Sequence, residues 1–100
     1  MAENNINEIV QDTLQQINKI EPHNIENLDE RIYACNKILT MIRMTKVAIG
    51  SQCIGDKERR ELADKEFTTS WLLRCTEHKK QREEFAKEQQ REFEEKLKRI

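Results

Sequence analysis

Four groups of residues have types and spacings that chemistry could use. The first is the run Gly50-Ser51-Gln52-Cys53-Ile54-Gly55-Asp56-Lys57, in which two glycines and a following lysine invite comparison with a phosphate-binding loop. Such a loop needs a buried strand before it, a terminal Gly-Lys-Ser/Thr, and a helix N-terminus aimed at the phosphate. Here Lys46 to Ile49 close a helical pattern, Asp56 stands where the lysine belongs, and Glu58 follows Lys57. Carboxylates in those places would repel a phosphate, so the run reads as a connection between two helices.

The second group is Cys75 and His78, three apart on a helical stretch, with Cys53 able to approach them in a folded-back hairpin and Cys35 more distant. A zinc site would need four such ligands, and none of the paired Cys-x-x-Cys spacing that marks one is present. Scattered cysteines in a helical chain serve more often as small core hydrophobes. The third group is the histidines, as candidate general bases. His23 sits in a proline-containing turn and His78 among charges, neither with a nucleophile and an orienting partner near it in sequence. The chain therefore reads as no enzyme, with no catalytic, cofactor-binding or metal-ligating residue and no cofactor.

The fourth group is basic. Lys57, Arg59 and Arg60 form one cluster and Lys79, Lys80 and Arg82 another, and about six phosphate contacts would suffice for salt-dependent nucleic-acid binding. Acids are interleaved throughout, however, and Lys plus Arg (18) nearly cancel Asp plus Glu (19), so no overall field favours a polyanion or an anionic membrane.

The elements that carry these residues follow from composition and period. Charged residues make up 37% of the 100-residue chain and hydrophobic ones 36%, enough to cover one face of each element. Two glycines and one proline leave too few turn formers for a β-rich fold, and long helices are the economical reading. The start of the chain lacks a basic and apolar leader, and no run approaches the ~20 apolar residues needed to cross a bilayer. Three widely spaced cysteines suit a reducing compartment. The expected location is the cytoplasm, with the nucleus as the other compartment open to it.

A first helix is expected over about 5–20, capped by Asn5 with Glu8 at the capping-box position and with Ile6, Ile9, Val10, Thr13, Ile17 and Ile20 on one face. Pro22 ends it and Asn24 offers a cap for a second helix over 25–49. There Ile25, Leu28, Ile32, Cys35, Leu39, Ile42, Lys46, Ile49 and Cys53 alternate in steps of three and four, a heptad seam that Ala34, Ile38, Met41 and Val47 widen. Lys46 is the polar intruder, able either to set register or to snorkel from a fraying end. Gly50 and Gly55 make the next turn, Asp56 caps, and a third helix runs over about 57–99, on the order of 60 Å long. Leu62, Ala63, Phe67, Trp71, Leu72, Leu73 and Cys75 give its first half a cluster fit for a core. Its second half supports itself with Glu83–Lys87, Glu92–Lys96, Glu94–Lys98 and Glu95–Arg99 pairs, yet keeps a thin seam of Ala86, Phe93, Leu97 and Ile100.

The fold class expected is thus all-α: a bundle or hairpin of three helices, with residues 1–75 as a helical core and 76–100 as a charged extension able to form a coiled coil. Association should bury the residual apolar surface, with a partner met at Ile32, Leu39, Ile42, Lys46, Ile49, Phe93, Leu97 and Ile100. The functional expectation is a non-enzymatic protein-binding subunit or adaptor, homo-oligomeric or part of a larger complex. The alternative is a helical nucleic-acid binder working through the clusters at 57–60 and 79–82.

Overall fold

Why three helices form, and where each stops, is a matter of a few capping residues. A computed structural model describes residues 2–100, with side chains from residue 6 onward. It contains α1 (Ala2–Lys19), a short 3-10 turn (Pro22–Asn24), α2 (Leu28–Ile49) and α3 (Asp56–Arg99). The chain is all-α, as its composition requires, with the long charged helix at its C-terminal end.

The ends of α2 and α3 fall at 49 and 99 as expected, and the other boundaries differ by one to three residues. The backbone of α1 is already helical at Ala2, so Asn5 lies inside the helix, and its side chain is outside the described residues. Asn24 does not cap α2, because it lies inside the 3-10 turn, four residues before the helix begins, where its amide donates to Glu21 Oε2 (2.6 Å). Asn27 caps instead, its Oδ1 accepting from the Glu30 N–H at 3.0 Å, with Asp29 and Glu30 placing negative charge on the first turn. At the other end Gly50 takes φ 61°, ψ −127°, a conformation closed to residues with a Cβ, and donates its N–H to Lys46 O. Gly55, not Asp56, stands before α3, and its N–H donates to Asn7 Oδ1 (3.2 Å) of α1.

α2 and α3 form an antiparallel hairpin bracketed by two ion pairs. Lys46 meets Glu66 near the turn, and Lys80 Nζ lies 2.6 Å from Asp29 Oδ1 at the open end. α1 lies across both, tied by Gln11 Nε2 donating to Glu58 Oε1 (3.2 Å) and by the Thr13 and Thr45 hydroxyls 3.4 Å apart. Those ties run α1 alongside α3 and against α2. The core between them consists of Val10, Leu14, Ile17, Ile38, Ile42, Ile49 and Leu62, with Ile6, Ile20, Met41 and Ile54 at its edge. On α2 the buried stripe adds Ala34, Cys35 and Leu39.

α3 turns an inner face of Leu62, Thr69 and Thr76 toward the hairpin, seven residues apart. Threonines at two of those three positions keep the contact side chains short. The buried hydroxyls of Thr45 and Thr76 donate to Met41 O (2.8 Å) and Leu72 O (2.7 Å), one turn back along their own helices. Among the described residues no buried side-chain nitrogen or oxygen lacks a partner.

This inner face corrects the expected core of the third helix. Leu62 is buried and Leu72 and Leu73 are half-buried, but Ala63, Phe67, Trp71 and Cys75 are exposed, with Phe67 at 73% and Trp71 at 63%. On α2, Val47 does not widen the seam; at 81% exposure it faces solvent. The first helix uses Leu14, which its expected stripe omitted, while Ile9 remains half exposed.

Lys80 is the last residue that the other helices partly cover, and from Gln81 to Ile100 every residue is exposed. Those twenty residues add about 30 Å of single helix, and the molecule measures 77 × 23 × 17 Å. The helical support there comes from Lys80 with Glu84 (3.9 Å) and Gln90 with Glu94 (3.3 Å), not from the four expected pairs. No described helix is long and apolar enough to cross a membrane.

Candidate interaction surface

The residues with chemical potential are held apart by the helices that carry them. Cys53 is exposed just before α3 begins, whereas Cys75 and His78 lie five turns or more along α3, a separation of about 28 Å along the axis. Cys35 is wholly buried on α2, where burial pushes its thiol pKa up against a smaller opposing effect of Arg31. Among the described residues no three His, Cys, Asp or Glu side chains stand close enough to hold a metal ion. His23 and His78 are both exposed.

The glycine-bounded turn likewise resolves into structure. The Glu58 carboxylate folds back over the start of α3 against Gly55, close enough that a Cβ on Gly55 would collide with it. With Asp56 also in the first turn, the helix N-terminus is already faced by two acids of its own chain. Beside this turn a shallow groove of about 430 Å³ is lined by Lys46, Ile49, Ile54, Arg59, Leu62 and Ala63. It has two bases over an apolar floor and no acid–base pair or nucleophile.

The six basic residues at 57–60 and 79–82 do not share one continuous face. At about 100° per residue they are spread over most of the circumference of α3. Lys80 is turned inward to Asp29, and the Lys80 ammonium holds its proton more tightly chiefly through that hydrogen bond. Lys57 pairs loosely with Glu61 at 3.9 Å, and Glu61 and Asp64 occupy the same sector of the helix as Lys57 and Lys79.

The eight positions expected to meet a partner separate into two sets. Leu39, Ile42 and Ile49 are buried within the chain, which leaves no surface there for a second one. Ile32 is half-buried beside them. Lys46 stays exposed and satisfies its charge on Glu66, which explains how a lysine sits in a seam of aliphatic residues and cysteines. Phe93, Leu97 and Ile100 are all exposed, at 59, 54 and 101%.

What the sequence reading missed is the outer face of the bundle. Phe67, Trp71 and Phe85 join Phe93 in projecting from α3 into solvent, and Tyr33, Met44 and Val47 project from α2. The bulk of Phe67 and Trp71 suggested a core, and only the position of the inner face at 62, 69 and 76 puts them on the far side of the helix. Phe67 and Trp71 adjoin one turn apart on that side, and exposed apolar side chains that adjoin mark a candidate interaction surface. Comparison with protein families, with characterised proteins and with solved structures finds no match to this chain.

Proposed function

We propose that the protein is a non-enzymatic helical interaction subunit, which binds another protein chain through α3 beyond the bundle. The observation that carries this reading is the uncovered extension: residues 81–100 are all exposed, yet they include Phe85, Phe93, Leu97 and Ile100. This part of α3 packs on nothing in the chain, whereas most helical stability in proteins comes from tertiary packing of an apolar face. A second helix laid along this one would supply that packing and remove four large side chains from water. The rigid bundle below it, with a satisfied core, serves as the base from which the extension projects.

The two histidines are exposed and apart, and the groove beside the turn between α2 and α3 offers no reacting pair.

The test is the mass in solution by light scattering, across protein concentration and at low and high salt, for the native chain and for Phe93→Ser/Leu97→Ser. The expected result is an assembly, with itself or with a chain retained from extract, that the double variant loses while its melting temperature is unchanged. Assembly that survives the double variant intact would remove the extension from the interface. A native chain that is monomeric and retains nothing would overturn the proposal.

A further inference from the structure

The exposed side of α3 carries a second pattern, distinct from its inner face. Positions 67, 71, 74, 78, 82, 85, 89, 93, 96 and 100 follow one another in steps of four, three and four, so that 67, 78, 89 and 100 are eleven residues apart. An eleven-residue repeat, about 3.67 residues per turn, keeps close to the helix's own 3.6 and so runs nearly straight along it. All ten positions are exposed. They read Phe67, Trp71, Arg74, His78, Arg82, Phe85, Gln89, Phe93, Lys96 and Ile100. α3 contains twelve acidic residues, and none stands in this stripe.

The order of residues in the stripe is its most informative property. Reversed end to end, the ten positions map onto themselves, and the residues then meet in complementary kinds. Phe67 comes level with Ile100, Trp71 with Lys96, Arg74 with Phe93, His78 with Gln89, and Arg82 with Phe85. Every arginine and lysine faces an aromatic ring and no base faces a base. In a parallel, in-register pair the same residues would face themselves, which sets Arg74, Arg82 and Lys96 against like charge.

We infer that the occupant of this stripe is a second copy of the chain, paired antiparallel over residues 67–100 about a two-fold axis between residues 83 and 84. This deepens the interaction reading above and rests on it. Cations stacked on ring faces are favourable pairs, and the rings and the alkyl stems of the bases exclude water together. The four rings are 59–73% exposed. Covering them on both copies would bury on the order of 1,000 Å² before any other side chain is counted, taking an aromatic side chain as about 150–250 Å². That alone approaches the lower end of specific interfaces, about 1,200 Å².

The geometry of the bundle permits it. α1 and α2 pack on the side of α3 marked by Leu62, Thr69 and Thr76, opposite Phe67 and Trp71. The partner's extension can therefore lie along the outside of each bundle's α3 without meeting the other helices.

Trp71 is the single tryptophan and reports the pairing directly. Its emission should shift to the blue as concentration rises, in step with a mass that doubles. Orientation is read by double electron–electron resonance on the full chain, with Cys53→Ser and Cys75→Ser removing the exposed thiols and a spin label at Gln81→Cys or at Glu95→Cys. Antiparallel pairing places the labels at 81 within about 20 Å of each other and those at 95 about 35–40 Å apart along the axis. Arg82→Glu and, separately, Trp71→Ser should each weaken dimerisation at least tenfold without lowering the melting temperature of the bundle.

A dimer with the labels at 95 close together is parallel and overturns the inference while leaving the interaction reading standing. So does a dimer indifferent to both substitutions. A chain monomeric at every concentration overturns it too, whether Trp71 then responds to a different protein or to an added single-stranded oligonucleotide. If no chain of any kind is bound, the interaction reading falls with it.

Discussion

Ile42 and Val47 are two aliphatic residues on the same helix, five positions apart, and they should respond oppositely to truncation. Ile42 is 0% exposed and packs in the core with Val10, Leu14, Ile17, Ile38, Ile49 and Leu62, whereas Val47 is 81% exposed. Ile42→Ala removes three buried carbons, worth about 0.8 kcal/mol each in lost transfer free energy, or ~2.4 kcal/mol. The cavity left by incomplete relaxation raises the expected loss to roughly 3–4 kcal/mol. Total stability for a chain of this length is on the order of 5–15 kcal/mol, so the loss is a large share of it. At about 4–8 °C per kcal/mol for a domain this small, the melting temperature should fall by ~12–30 °C. Val47→Ala removes two carbons that are largely wet already, costing about 0.3 kcal/mol. Exchanging a β-branched residue for alanine in an exposed helix returns a few tenths, up to ~0.5 kcal/mol, and the net effect should be close to zero. Urea unfolding followed by circular dichroism measures both, and the midpoint should move with the slope unchanged if the loss lies in the native state. An Ile42→Ala protein within about 0.5 kcal/mol of the native one would refute the bundle's core. A Val47→Ala loss above about 1 kcal/mol would mean that α2's outer face is covered.

Four further outcomes follow from the same structure. Lys46→Met should change stability by no more than about 1 kcal/mol, since the Lys46–Glu66 pair is solvent-exposed, with side chains 53% and 39% accessible; urea melts at low and high salt check this. Cys53 and Cys75 should react with a thiol reagent in the native protein while Cys35 reacts only on unfolding, which mass spectrometry of labelled peptides resolves. The raised Cys35 pKa also sets a direction with pH: above the ordinary thiol value of 9.0 the unfolded chain releases a proton that the folded chain keeps, so stability is full below that pH and declines above it. Lys80, whose pKa is raised by Asp29, acts in the same direction at still higher pH, and Cys35→Ala should flatten the first part of the decline in melting temperature. Removal of residues 81–100 should leave the melting temperature within a few degrees of the native value, because neither α1 nor α2 covers any of them.

The number, order and type of the elements lay in the sequence because local chemistry decides them. Pro22, Gly50 and Gly55 are the only strong breakers in the chain, and they fall in or beside the two connections that the structure shows. The exposed, charged character of the last twenty residues was equally local, since a segment with so few apolar side chains has no wide face to bury. The aliphatic stripe of α2 was legible for the converse reason: at Cys35, Leu39, Ile42 and Ile49 only one face is apolar enough to go inside.

On α3 that rule does not select an answer. Between Leu62 and Thr76 apolar side chains occur all round the helix, and the sequence offers the aromatic side as readily as the leucine–threonine side. The choice is made by packing against α2, which short side chains at 69 and 76 meet while the rings of Phe67 and Trp71 turn outward, and the exposed Lys46–Glu66 and Asp29–Lys80 pairs form in that same register. Which cap starts α2 was a smaller instance of the same kind, settled by the 3-10 turn that takes up Asn24 and leaves Asn27 to accept from Glu30. Periodicity thus determines that a helix has a face to bury, while a helix with two apolar faces needs its neighbour to decide between them, because only packing distinguishes a side chain that fits the gap from one that is merely hydrophobic.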